Sequence, residues 1–424
     1  MKQDHIPLAY CFWSVNQGDG PGFLDASRYE LFGMNTGLPV RFHTAINREY
    51  RTRHPQDRHL LFEGEERHVP NEETLEQVPI VETAYAESDI DGMRIGAAMR
   101  TPNHHHYSIY RAVTSDVADE RDAAEKRLRY CFEVAKAHGV KTIVLWNGAE
   151  KYNDDLDVDF HKANDRYLRM LEVASDLAIE YDMFIAVEGK PFEPENLYMQ
   201  NSGYLNTLLL MGLKKGRLTM EQINRIGAND ELGHLVMNNL CENQTVAMID
   251  DAGELFYIHL NRQYERGMQD SDHPLELTPR FVKLVNTLSR SETFSNPSDG
   301  VTRFAGLDFQ FPHGANIAEC LKIQYSNGLT VRLAEEAARQ VDWDHVYGLQ
   351  EAGRFREART LIREPTAEAV LMLEREIRAL GRDGGVGVPK SLEGELRENF
   401  DRAMADPKVR ARMDHMAPIR FGLH

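Results

Sequence analysis

Four short segments place carboxylates at or just after apolar, strand-like runs: Val187-Glu188-Gly189-Lys190-Pro191, Asn229-Asp230-Glu231-Leu232-Gly233-His234, Asp270-Ser271-Asp272 and Leu307-Asp308-Phe309. Hard oxygen donors with one imidazole make a ligand set for a divalent cation. Lys190 follows Glu188 by two residues, so a bound cation and an ammonium can both polarise one carbonyl oxygen; the plain alternative is an ion pair at a strand end. Glu231 and His234 are three apart and project from one side of a first helical turn if a helix opens there. The same spacing is common on solvated helices. Asp270 and Asp272 are two apart and can grip one cation from one side, or simply form an acidic loop tip. Asp308 ends an apolar run, where an unpartnered carboxylate is costly, so a metal or cationic partner is expected. His104-His105-His106 has the composition of a metal patch, but consecutive residues cannot all face one ion. One of them, taken as His105, is placed on the pocket wall after the preceding strand, with a polar loop as the plain reading.

Such donors must be delivered from the ends of successive strands. Leu8 to Trp13 reads as a first strand, ending in a Gly-rich loop. The stretch from 29 to 70 is less regular; Leu38 to His43 is a candidate strand, and an Arg- and His-rich segment follows. From Glu73 onward helical and strand patterns alternate. Helices are expected at 73–88, 119–138, 160–181, 197–211 and 234–250. Strands are expected at 93–99, 142–146, 183–188, 255–260 and 306–309, with a turn at 226–228. This alternation indicates an α/β chain with a parallel sheet, and about eight candidate strands suit a closed (β/α)8 TIM barrel. No GxGxxG follows the first strand, which removes the main dinucleotide signal. After Lys322 the pattern becomes helical, with runs at 333–341, 347–361, 366–380 and 393–405. The chain therefore divides into a barrel over 1–325 and a C-terminal helical extension over 326–424, expected to pack on a neighbouring subunit.

In order and spacing the segments resemble xylose isomerase, from Ala9 to Tyr325. Cys11-Phe12-Trp13-Ser14-Val15 and Phe23 to Arg28 resemble the family's opening strand and loop. Thr142 to Gly148 resembles the strand with its pocket tryptophan, and Ile185 to Pro194 its Glu-x-Lys-Pro segment. Asn229 to Met237 resembles the Asn-x-Glu-x-x-His segment. Leu255 to Gln263, with Asp270-Ser271-Asp272, resembles the seventh strand and Asp-x-Asp loop, and Leu307 to Phe311 the eighth strand.

The resemblance implies two divalent cations, Mg2+, Mn2+ or Co2+, and no organic cofactor. One takes Glu188, Glu231 and Asp308; the other takes Glu231, His234, Asp270 and Asp272, with Glu231 shared. It also implies aldose–ketose isomerisation by hydride shift. Lys190 polarises the carbonyl oxygen, and Asp272 lies where the neighbouring hydroxyl is deprotonated. Trp13 and Trp146 form an apolar wall, and Asn229, Asn261 and His105 complete the sugar contacts. A homodimer or homotetramer is implied as well.

Four departures matter, the first being that Pro102-Asn103-His104-His105-His106-Tyr107 replaces the family's aromatic segment after the third strand. His259 stands where the family has an aspartate ligand; imidazole still ligates but lowers the negative charge. Gln310 replaces a basic residue. His43 is the nearest match to the ring-opening histidine, with Ile46 where that motif has aspartate and His59 as a competitor. A non-phosphorylated sugar or sugar-like polyol other than D-xylose is therefore expected. An epimerase working by proton transfer between Glu188 and Asp308, and a non-catalytic sugar-binding relative, remain open.

The composition agrees. At 42% hydrophobic and 27% charged residues, the 424-residue chain is an ordinary globular protein with no apolar run fit to span a bilayer. A formal charge of −18 argues against nucleic-acid partners. Four scattered cysteines without a CxxC pair, and no signal peptide, suggest reduced thiols and a cytoplasmic location.

Overall fold

The computed structural model describes residues 5–11, 37–68, 75–76, 78–87, 94–100, 112–148, 150–192, 196–263, 270–295, 297–311, 317–390, 392–394, 398, 401 and 405. The elements in chain order are β1 (Leu8–Cys11), α1 (Leu38–Arg53), β2 (Gly64–His68), α2 (Val78–Glu87), β3 (Arg94–Arg100), α3 (Ala118–Ala137), β4 (Thr142–Trp146), β5 (Lys151–Tyr152), α4 (Phe160–Tyr181) and β6 (Phe184–Glu188). Then come β7 (Asn196–Leu197), α5 (Ser202–Lys214), α6 (Met220–Ile223), β8 (Ile226–Glu231), α7 (Leu232–Met237), α8 (Glu242–Asp251), β9 (Leu255–Leu260), α9 (Pro279–Arg290), β10 (Ala305–Leu307), α10 (Ile317–Gln340), α11 (Trp343–Glu351) and α12 (Phe355–Arg382).

Parallel strands covered by helices are buried on both faces, which is why runs such as Thr142-Ile143-Val144-Leu145-Trp146 and Phe184-Ile185-Ala186-Val187-Glu188 need no polar face. Eight strands close a parallel barrel in the order β1-β2-β3-β4-β6-β8-β9-β10, with β10 pairing back to β1. The short β5 and β7 pair antiparallel outside it. Apart from the consecutive pair Phe256 and Tyr257, alternate strand residues sort into two cores. Leu8, Tyr10, Ile143, Leu145, Ile185, Val187 and Ile258 pack against the helices. Ala9, Cys11, Val144, Phe184, Ala186, Phe256, Tyr257 and Phe304 fill the interior. Arg303 lies buried below, with its guanidinium 4.4 Å from the Phe184 ring and 4.6 Å from the Phe256 ring, and it donates to Asp299 at 2.5 Å. The barrel interior is thus packed, and in such barrels the functional site is built at the C-terminal face.

The closed barrel agrees with the alternation read from the sequence, but several elements differ. Leu38 to His43, expected as a strand, opens helix α1, with Pro39 in its first turn. Val40, His43, Ile46, Asn47 and Tyr50 recur at helical spacing on its buried face. The turn expected at 226–228 is the first half of β8. The single helix expected from His234 is two helices, broken where Asn239 takes a left-handed φ of 57°. The helix expected from Leu197 starts at Ser202, where the Asn201 side chain accepts from the Gly203 amide. Strand β2 and helix α9 were not anticipated.

Helix α10 runs unbroken across residues 325 and 326 and packs on α9 and α1, and α12 lies along α10. Arg332 of α10 donates to the carbonyls of Ile6 and Leu60 at 2.8 and 2.9 Å, tying this helix to the chain entering β1 and β2. Among the described residues no helix is long and apolar enough to cross a membrane.

Candidate metal centre at the barrel mouth

Glu188 and Glu231 are the last residues of β6 and β8, His259 is in β9, and Asp308 directly follows β10. The barrel's closure therefore brings these four together from strands far apart in sequence. Nδ1 of His259 lies 3.2 Å from Glu188 Oε2 and 3.6 Å from both Glu231 Oε2 and Asp308 Oδ2. Donors held about 2.1 Å from one cation stand roughly 3.0–3.4 Å apart; the Glu188 separation falls in that range and the other two lie just beyond it. Asn229 Nδ2 donates to Glu188 Oε2 at 2.7 Å, which orients that carboxylate. Asn147 Nδ2 donates to the Glu188 backbone carbonyl at 2.9 Å and is itself held by the Tyr167 hydroxyl at 2.6 Å.

A second group begins on the other oxygen of Glu231. Nε2 of His234 is 3.3 Å from Glu231 Oε1 and 3.3 Å from Asp270 Oδ2. Asp272 completes it, since ligand atoms of Glu231, Asp270 and Asp272 lie within 4.8 Å of one another. Asn261 Nδ2 donates to Glu231 Oε1 at 2.7 Å and to Asp272 Oδ1 at 2.9 Å, while its Oδ1 accepts from the Gly233 amide at 2.8 Å. Gln310 donates from its backbone N to the Asp272 carbonyl at 2.8 Å and from Nε2 to Asp272 Oδ2 at 3.3 Å. Asp272 sits at φ 33°, a left-handed backbone that a non-glycine residue adopts only when its surroundings hold it there. Lys190 Nζ donates to Asp270 Oδ2 at 2.7 Å and lies 5.9 Å from the centre of the Trp146 ring. That indole lies across Gly148, where a Cβ would meet its ring atoms at 2.3–2.7 Å.

Burial raises Glu188 above the ordinary carboxylate range even against the opposing charge of His259. Burial would raise Glu231 too, but His234 and His259 bring it below the ordinary value. Asp270 is held well below, because Lys190 and His234 outweigh its burial. Asp272 is pushed well up by burial and by the charges of Asp270, Glu231 and Asp308. Burial works against a charged imidazole at His234, but Glu231 and Asp270 lift it to about 9. His259 is likewise raised well above its ordinary value by Glu66 and Glu188, against its burial.

Six carboxylates, on Glu66, Glu188, Glu231, Asp270, Asp272 and Asp308, thus face three groups able to carry positive charge, Lys190, His234 and His259. Such a cage is net negative in the barrel's interior unless carboxyls protonate or cations enter. Nδ1 of His234 makes no hydrogen bond among the described residues, and Glu231 presents one oxygen to each donor group. The donor set fits divalent cations.

The structure gathers Glu188, Lys190, Asn229, Glu231, His234, His259, Asn261, Asp270, Asp272 and Asp308, with Trp146 alongside. It does not bring His43 to them. His43 sits on α1 in the helix–sheet layer, fully buried, its ring stacked 3.0 Å from that of Tyr10 and its Nδ1 2.8 Å from the Pro39 carbonyl. His59 lies near the N-terminal end of the barrel, stacked on His5. The ring-opening role expected of His43 is corrected accordingly: Tyr10 points outward from β1, so its stacking partner is a core imidazole. Trp13 and His105 lie outside the described residues. The residue that sequence reasoning missed is Glu66 of β2, whose Oε2 accepts from His259 Nε2 at 2.9 Å. Its segment, Gly64-Glu65-Glu66-Arg67-His68, carries no apolar signal at all.

No family model matches the chain. Among solved structures, one named "Putative Xylose isomerase" from Rhodospirillum rubrum is similar to it at a TM-score of 0.51 and 12% identity, over 77% of this chain and 98% of that one. A 3-keto-D-glucoside 4-epimerase from E. coli matches at a TM-score of 0.47 and 11% identity, over 77% and 99%. A D-allulose 3-epimerase from Methylomonas sp. matches at 0.46 and 14%, over 74% and 88%. At such identity the likeness is one of fold, and this chain is a divergent barrel of the xylose isomerase-like fold.

Proposed function

We propose that the chain is a divalent-metal-dependent aldose–ketose isomerase acting on a non-phosphorylated sugar or sugar-like polyol other than D-xylose. The observation that carries the reading is Glu231, buried between two donor groups with Oε2 toward His259 Nδ1 and Oε1 toward His234 Nε2. A carboxylate so placed suits two cations rather than one. When bound, such cations supply Lewis-acid polarisation of adjacent sugar oxygens. Lys190 offers Nζ as a donor to the carbonyl oxygen on which negative charge develops. Asp272, in the second donor group, takes the proton of the neighbouring hydroxyl and returns it to the oxygen of the former carbonyl once the hydride has moved. Trp146 walls the reacting carbons from water. The position of His43 in the core supports a substrate that reaches the site already open.

A second reading has one observation in its favour. Lys190 and Asn261 already bond Asp270, Asp272 and Glu231 Oε1, which favours a single cation held among Glu188, Glu231, His259 and Asp308, with Glu188 and Asp308 as the proton-transfer bases of an epimerisation at that metal. A sugar deuterated at C2 separates the two. Retention of deuterium in the product supports the hydride shift, and exchange with solvent overturns it in favour of proton transfer. Assembly through residues 326–424 into a homodimer or homotetramer belongs to the same proposal. Phe355 and Leu371 of α12 are more than half exposed and supply apolar surface for it; a monomer on light scattering would refute this part alone.

A further inference from the structure

Glu66 lies in β2 between Glu65 and Arg67, which pair with each other at 2.7 Å. Its own side chain enters the barrel, where Oε2 lies 2.9 Å from His259 Nε2 and 3.6 Å from Cys11 Sγ. Glu66, His259 and Cys11 are all fully buried. An ionised carboxylate only accepts hydrogen bonds, so the proton in this contact is on Nε2. In the neutral ring the lone pair is then on Nδ1, the nitrogen that faces Glu188, Glu231 and Asp308. Gly306 of β10 leaves room for the pair, since a Cβ at that position would stand 2.9 Å from His259 Cδ2 and 3.1 Å from Glu66 Oε2.

We infer that Glu66 is a positioning residue: its hydrogen bond fixes His259 as the Nε2–H tautomer, presents Nδ1 to the cation, and returns to the centre the negative charge that an imidazole lacks beside a carboxylate ligand. The inference rests on the metal-dependent reading above. A carboxylate behind a ligating imidazole orients the ring and raises its basicity, whereas an aspartate ligand at the same place has no tautomer to fix.

A double-mutant cycle on Mn2+ affinity, measured by calorimetry on metal-free protein, tests it. Glu66→Gln is expected to weaken Mn2+ binding about 10–100-fold. In a His259→Asp background the same change is expected to cost several-fold less, because the charge is still lost but no imidazole remains to orient. An unchanged affinity in the first case, or an equal loss in both backgrounds, overturns the inference. If wild type itself binds no Mn2+, the metal-dependent reading falls as well, which is a distinguishable result. If Glu66→Gln melts early without metal, Glu66→Asp replaces it: this keeps the charge, withdraws the oxygen from Nε2, and must show the same background-dependent loss. In the Mg2+-loaded protein, nitrogen NMR of the His259 ring is expected to show a coupled Nε2 proton in wild type. Nδ1 protonated in its place refutes the assignment.

Discussion

Lys190→Met keeps the apolar stem that lies beside Trp146 but deletes the ammonium 2.7 Å from Asp270 Oδ2. The two side chains are 3% and 9% exposed, so Asp270 becomes a buried carboxylate that has lost its nearest cation. Breaking a buried pair from one side costs ~3–5 kcal/mol. With an unfolding entropy of about 2.1 cal/mol/K per residue, a 424-residue chain shifts in Tm by only about 1 °C per kcal/mol. The metal-free variant is therefore expected to melt ~3–6 °C below metal-free wild type in scanning calorimetry. The sign of the pH dependence follows from Asp270, which Lys190 and His234 hold well below the usual carboxylate range despite its burial. A depressed folded pKa adds stability above the unfolded value of about 3.9 and loses it as the pH falls through the folded one. The gap between variant and wild type should thus be full near neutrality and close on acidification below about pH 4. Metal gives the opposite arm. Without the ammonium, the Glu231, His234, Asp270 and Asp272 group is one unit more negative, and Asp270 Oδ2 is released from Lys190. Mn2+ should then stabilise the variant more than wild type, with about 2.7 kcal/mol, or about 3 °C, for saturation at 100 times Kd. Equal melting temperatures without metal, a gap independent of pH, or an identical Mn2+ shift in both proteins would refute the reasoning.

His43→Phe preserves an aromatic ring against Tyr10 and loses one contact to the Pro39 carbonyl, so kcat/KM should stay within about threefold, under about 1 kcal/mol of transition-state free energy; steady-state kinetics showing a loss of about 100-fold would return His43 to the reaction. Gly306→Ala forces a Cβ against His259 and Glu66 at 2.9 and 3.1 Å, and this overpacking is expected to cost ~1–3 kcal/mol in denaturant unfolding and to weaken Mn2+ binding. His234, lifted to about 9, contributes stability below its unfolded pKa of about 6.5 and loses it as the pH rises through the folded value. Metal-free protein should therefore lose stability between about pH 6.5 and 9, while Mn2+, which binds the neutral imidazole and releases its proton, should flatten that slope; a flat metal-free profile refutes it.

The barrel was legible because most of its strands are apolar on both faces. Thr142 to Trp146, Phe184 to Glu188 and Leu255 to Leu260 are each bounded by helical patterns, and the structure places them as read. Strand β2 was not legible, because Gly64-Glu65-Glu66-Arg67-His68 has the composition of an exposed loop. It is a strand because each charge finds a buried partner: Glu65 with Arg67 on one side, Glu66 with His259 on the other. The second of those partnerships is tertiary and leaves no mark on local periodicity. Ile226-Gly227-Ala228 read as a turn for a related reason. Gly227 looks like a breaker, yet a Cβ there would stand 2.5 Å from the Glu254 carbonyl and 2.6 Å from the Phe256 ring, so close packing against the chain entering β9 demands glycine.

The departures from the xylose isomerase pattern resolve differently once their surroundings are known. His43 and Ile46 looked like a ring-opening pair with its acid lost. In space they are two buried positions on one face of α1, and Ile46 is apolar because that face meets the helix–sheet core, so nothing was lost from the site there. His259 lies within the donor group itself, and a carboxylate stands behind it. An aspartate ligand brings its own charge to the cage. An imidazole brings none, and Glu66 supplies it from a strand on the other side of β1 and β10, 193 residues away in sequence. Gly306, which stands between those strands' contributions, is where such an exchange is sterically permitted. A motif position that changes ligand type can therefore leave the charge of the centre intact, provided that a second position inside the barrel carries the carboxylate. Read one segment at a time, His259 is a defect in a metal site; read with Glu66 and Gly306, it is, on the proposal above, one part of a ligand built from three strands.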